Sequence, residues 1–191
     1  MSLFRLARNN IQNFAAQRLK QFIWIAMSTM LSFFIISIQS NEVIIKKLQY
    51  IPLFVEFFYY VSILLFFLCG FATYQMIKGF LKTRRQEFQS YEANNMKKSQ
   101  IVCLLCQEQL LIFGGALFFG LVHGMLFLRL FIVIFMKVAG IRGVSGALIT
   151  IYALSVTTLL IMILIVLSMW QCYQFVYDLK KESVYKTEEK A

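Results

Sequence analysis

The sequence predicts an all-α integral membrane protein with four transmembrane helices, an N-terminal amphipathic interfacial helix and a short cytoplasmic helix between the second and third spans. Three observations carry this. Hydrophobic residues make up 60% of the 191, with 20 Phe and a single Pro, and mean hydropathy is +0.70; soluble domains sit near roughly 45–50% apolar. Four apolar runs, approximately 21–38, 53–77, 110–136 and 146–173, are long enough for a hydrocarbon core of about 30 Å, which takes about 20 helical residues. The runs are apolar all round, whereas a closed barrel needs alternation of apolar and polar residues. No Pro/Gly linker or repeat divides the chain, so residues 1–191 read as one four-span domain.

Charge placement sets the expected topology. The net charge is +10, and fourteen Lys/Arg fall in 1–20, 78–100 and 174–191 against four in 39–52 and 137–145. This bias places both termini in the cytoplasm of a multi-pass cell-membrane protein. The basic residues flank spans instead of forming one patch, which argues against nucleic acid as a partner. Cys69, Cys103, Cys106 and Cys172 all lie in or beside spans, so they form no secreted disulfide framework. The Cys103/Cys106 pair lacks a second pair or a nearby His, and no metal or cofactor is expected. Intramembrane catalysis is not expected either: no paired carboxylates and no Ser or Cys beside a base lie in the spans.

In chain order, residues 3–20 place Phe4, Ala7, Ile11, Phe14, Ala15 and Leu19 at three- and four-residue intervals, with Arg5, Arg8, Arg18 and Lys20 elsewhere. That pattern suits a helix lying in the membrane interface before the first span. A basic stretch with a small-residue cleavage site is not found, so the first span is expected to stay as an anchor. The second opens at Pro52 and carries an aromatic belt, Tyr50, Phe54, Phe57, Phe58, Tyr59 and Tyr60, with Glu56 reaching interfacial water.

The segment 78–100 is charged, Pro-free and helix-compatible, with Lys78, Lys82, Arg84 and Arg85 at one end and Lys97 and Lys98 at the other. It predicts a short cytoplasmic helix held near anionic lipid headgroups. The third span then carries Ala116, Gly120 and Gly124 at four-residue steps, a face that permits close backbone approach. The fourth offers Gly146, Thr150, Ala153 and Thr157, and these two stripes are expected to pack as an antiparallel pair. His123 is expected to serve packing or an interhelical hydrogen bond, and Arg129 to snorkel outward.

The order and spacing of these features resemble the FtsX-like permease family of ABC transporters, and within it the first, four-span half of the bacitracin-export type of peptide-antibiotic resistance permease. The likeness rests on the opening Arg8 to Ile11, on Arg84-Arg85-Gln86-Glu87-Phe88, on Met96-Lys97-Lys98-Ser99-Gln100-Ile101, and on Glu108 before a Gly-containing helix. It implies a bacterial cell-membrane subunit whose coupling helix docks a separate ATPase. Arg84, Arg85, Glu87, Phe88, Tyr91, Ala93 and Met96 fall where that helix lies. This chain has no GxxxxGK[ST] loop of its own, so any ATP-derived energy must come from that partner. A four-span half would pair with itself or with a second permease chain. Gln89, Ser90, Asn94 and Asn95 stand where relatives commonly have Gly and aliphatic residues, which keeps a second reading open: a permease-derived accessory or immunity protein without ATP coupling.

Overall fold

The structure, a computed structural model, describes residues 7, 10, 14–41, 52–93, 96–138 and 151–188. Five helices account for almost all of them: α1 (Ala15–Gln39), α2 (Pro52–Thr83), α3 (Arg85–Ala93), α4 (Lys98–Val138) and α5 (Ile151–Glu188). Four have the length and apolarity to cross a bilayer, over Ala15–Gln39, Tyr59–Thr83, Lys98–Ile134 and Ile151–Asp178. The fifth, α3, is the short helix expected between the second and third spans. Phe57, Tyr59 and Tyr60 of the aromatic belt are exposed, as is Glu56. Half of the interfacial helix expected over 3–20 falls outside the described residues, as do Gly146, Thr150 and most of the 137–145 loop. Its last turn, from Ala15, already belongs to α1.

The helices extend past the apolar runs, and the reason is chemical. The third run begins at 110, but α4 begins at Lys98. Its first turns carry Ser99, Gln100, Gln107, Glu108 and Gln109, which depress hydropathy without breaking the helix. Nor is 78–100 one continuous helix. Arg84 forms a turn between α2 and α3, although its amide still donates to the Phe80 carbonyl at 3.3 Å, and residues 96 and 97 are non-helical before α4.

The first helix is the most enclosed. Over its apolar window α1 is 56% buried, against 17% for α2. Its buried face is lined with small residues, Ala26, Ser28, Thr29 and Ser32, so neighbours come close to its backbone. Thr29 satisfies its own hydroxyl by donating to the Ile25 carbonyl at 2.8 Å.

This corrects the expected helix pairing. The stripe on α4 closes on α1, not on α5. A Cβ added at Gly120 would stand 2.7 Å from both the Ala26 carbonyl oxygen and Thr29 Cβ, and one at Gly124 would stand 3.0 Å from Phe33 Cδ1. Glycine is therefore required where α4 crosses α1. Ala116 is buried beside Ile25 and Ala26 in the same seam. Ala153 and Thr157 are fully buried, Ala153 against Phe33, Ile36, Leu128 and Ile132, so α5 packs on the α1–α4 pair as a third helix. The periodicity of α4 marked a close-packing face correctly but held no information about which helix would fill it.

Two apolar cores result. One lies at the α3 end, with Ile77, Leu81, Phe88, Leu105, Ile161 and Val176; the other lies at the opposite end, around Phe33 and Leu128. Large side chains such as Phe67, Phe118 and Leu126 stay exposed on the outside, as spans surrounded by lipid tails require.

Candidate functional site: a buried charge network beneath the short helix

At the α3 end, four charged side chains meet in a largely buried cluster. Glu108, ten residues into α4, is fully buried, and so is the Arg84 side chain; the Arg18 side chain is 3% exposed. Arg18 and Arg84 both reach Glu108 Oε2, Arg18 through Nη2 and Arg84 through Nη1 at 2.6 Å. Asn10 Nδ2 donates to the other carboxylate oxygen at 3.0 Å. Arg84 is also a fork on Glu87, with Nε donating to Oε2 at 2.7 Å and Nη2 to Oε1 at 2.8 Å. The Tyr91 hydroxyl donates to the same Oε1 at 2.5 Å. Two arginines against two glutamates leave the group neutral, the condition under which buried charge is tolerated.

Aromatic rings form its walls. The Arg18 guanidinium carbon sits 3.8 Å from the Phe80 ring centre. That of Arg84 lies 4.7, 5.2 and 4.9 Å from the rings of Phe14, Phe80 and Phe88. Each contact adds cation–π attraction in a desolvated setting. A second polar rung continues sideways: Arg18 Nη1 donates to Gln21 Oε1 at 3.1 Å, and Gln21 Nε2 to Gln109 Oε1 at 2.7 Å.

The environment tunes the groups outside the spans. Burial opposes the Arg84 charge, but hydrogen bonding to Glu87 and the pull of Glu108 outweigh it and hold its pKa above the ordinary value. Burial would raise the Glu87 pKa, yet hydrogen bonds from Arg84 and Tyr91 bring it below the usual carboxylate value. Burial, then the Glu87 carboxylate, push the Tyr91 hydroxyl up to about 12. All three stay in their ordinary charge states at neutral pH, so the network is a fixed electrostatic tie.

The expected coupling residues divide by face. Arg84 and Phe88 are buried, while Glu87, Tyr91 and Met96 are half-buried against the bundle. Phe88 packs on Phe175 of α5 with ring centres 5.9 Å apart. Arg85 is half-buried. The solvent side of α3 is instead Gln86, Gln89 and Ser90. Ala93 is the last residue of α3. His123, expected at a helix contact, is exposed, stacks on Phe119 at 3.9 Å and meets the Phe119 carbonyl at 2.9 Å within its own helix.

Sequence reasoning singled out Arg84 and Glu87 but missed Arg18, Glu108, Asn10, Gln21 and Gln109 as one site. The available signal was an ionisable residue in a membrane helix, which by default demands a partner. Beginning the third span at 110 placed Glu108 outside it and hid the signal.

Four helices long and apolar enough to cross a membrane, with a short helix between the second and third clamped to them, define a multi-pass membrane protein. Residues 59–176, more than half of the chain, match the FtsX-like permease C-terminal family, and the chain belongs to that family. It is thereby a permease-type membrane subunit of an ABC transporter. The matched region contains Arg84, Glu87 and Glu108, whereas Asn10 and Arg18 lie before it. No curated protein and no solved structure matched the chain.

Proposed function

We propose that this subunit couples a separate ABC ATPase to movement of its spans, in transport or mechanotransmission, with α3 as the coupling helix on the cytoplasmic side. The bacitracin-export likeness makes peptide-antibiotic resistance the favoured setting, with a homodimer or a second permease chain completing the assembly in a bacterial cell membrane. The observation that carries this reading is the double engagement of Arg84, which grips Glu87 on α3 and Glu108 on α4 while Arg18 joins α1 to the same carboxylate. A push on α3 then has two outcomes. Either the spans move with it, or buried charge-assisted bonds break, at a cost of several kcal/mol. The network makes transmission the cheaper outcome.

On this reading Phe88 and Tyr91 are posts that fix α3 to the bundle, and the ATPase contacts the outward side, Gln86, Gln89 and Ser90. The test is co-purification from mild detergent. Gln89→Arg together with Ser90→Arg should eliminate the ATPase from the complex while leaving thermal unfolding of the subunit unchanged. An undiminished complex rejects docking through α3.

The polar character of that outward side favours a second reading, an accessory or immunity protein without ATP coupling, since helix-in-groove contacts usually rest on apolar anchors and here those face inward. In that case ATP turnover in any complex would be indifferent to α3 substitutions, whereas Gly120→Leu would still abolish function by separating α4 from α1.

A further inference from the structure

A cleft of about 280 Å³ lies between α1 and α2 at the α3 end of the bundle. Gln17, Lys20 and Gln21 of α1 face Gln75, Gly79 and Thr83 of α2 across it. Gln17, Lys20, Gln75 and Thr83 are exposed, while Gln21 is buried, so the cleft has an accessible mouth and a polar floor. Met76 and Phe80 supply an apolar wall. Gly79 keeps the space open, for no heavy atom lies within 4 Å of where its Cβ would be.

Among the described residues, the only charge lining the cleft is positive. A lysine and three glutamines line the cleft, and no carboxylate does. Outside the lining, Arg18 and Gln109 both hydrogen-bond to Gln21, which ties the cleft floor to the charge network. The occupant that fits a lysine with no carboxylate beside it is an anion. Because the cleft separates two membrane-spanning helices and has an apolar wall, that anion arrives from the lipid phase. A basic pocket between spans at headgroup depth is a recognised way of holding acidic lipid.

We propose that this cleft is a binding site for the phosphodiester headgroup of an anionic phospholipid, with its acyl chain leaving past Met76. The site adjoins the charge network through Gln21, which bonds to Arg18, and through Phe80, on which Arg18 stacks. Bound lipid thus steadies the α1 arm of that network. The inference does not depend on an ATPase partner.

The test is native mass spectrometry of the full chain in detergent, titrated with phosphatidylglycerol and, separately, with phosphatidylcholine. Phosphatidylglycerol should be retained and phosphatidylcholine not. Lys20→Gln should weaken retention about fivefold, the effect of removing one basic charge near an anionic headgroup, and Gly79→Leu should abolish it by filling the cleft. Lys97→Gln, removing an exposed lysine just before α4, should leave retention unchanged. Thermal unfolding of Gly79→Leu should match the parent, since the new side chain enters open space. Equal retention of both lipids, undiminished binding by Gly79→Leu and Lys20→Gln, or displacement of the lipid by equimolar inorganic phosphate would each overturn the assignment.

Discussion

Replacing Glu108 with Gln should destabilise the bundle by about 3–5 kcal/mol, the usual cost of removing one partner from a buried ion pair. Glu108 is fully buried and receives bonds from Asn10, Arg18 and Arg84. Without its charge the group passes from neutral to one excess positive charge, held by two guanidiniums with only Glu87 to share. For a chain of this size each kcal/mol corresponds to roughly 2–4 °C, so the midpoint in detergent should fall by about 6–20 °C. The sharper measurement is the double variant. Glu108→Gln with Arg18→Met leaves Arg84 and Glu87 as a balanced pair, and Met keeps an apolar contact with Phe80. The double variant should recover more than half of the loss. A Glu108→Gln midpoint within 2 °C of the parent, or a double variant less stable than either single one, would refute electrostatic balance as the basis of the site.

Other consequences are open to the same assay. Gly120→Ala places a methyl group 2.7 Å from the Ala26 carbonyl and should cost about 1–3 kcal/mol through helix separation; Gly114→Ala, with nothing within 4 Å, should be neutral or gain up to about 1 kcal/mol. Phe88→Ala, deep in the α3-end core, should cost about 3–5 kcal/mol. The contribution of Glu87, whose pKa is lowered on folding, should be complete at neutral pH and fade as pH falls below its ordinary 4.5. That of Tyr91, raised from 10.0 to about 12, should be complete below pH 10 and lost as pH rises through that interval. Stability of the parent relative to Tyr91→Phe should therefore decline between those two values, and a constant difference would exclude the Tyr91–Glu87 bond.

The spans were legible because lipid imposes one rule on every residue of a helix, and hydropathy reports it directly. The short helix between the second and third spans was legible from the charge of 78–100, but the turn at Arg84 that separates it from α2 was not. The α1–α4 seam was not, because small residues at four-residue steps show that a helix can approach closely without naming the helix. Gly120 therefore looked compatible with the α5 stripe until the position of Ala26 settled the matter. The charge network was half legible. Arg84 and Glu87 were singled out as coupling positions and not as a pair, and Arg18 and Glu108 are 90 positions apart and meet only through the tertiary fold. The family resemblance places Phe88 on the docking helix, a position that says nothing of burial; in the structure its ring packs on Phe175 inside the subunit.

The central claim is that α3 is a lever worked by an outside motor. It is tested most directly by placing a photo-crosslinking residue at Gln89, on the outward side of α3, with the same probe at exposed Phe118 as the control. Irradiation in cells should join the Gln89 probe, but not the Phe118 probe, to a protein carrying a GxxxxGK[ST] loop, and ATP depletion should change the yield. A Gln89 probe that captures no such protein, or captures it equally from Phe118, would contradict the claim.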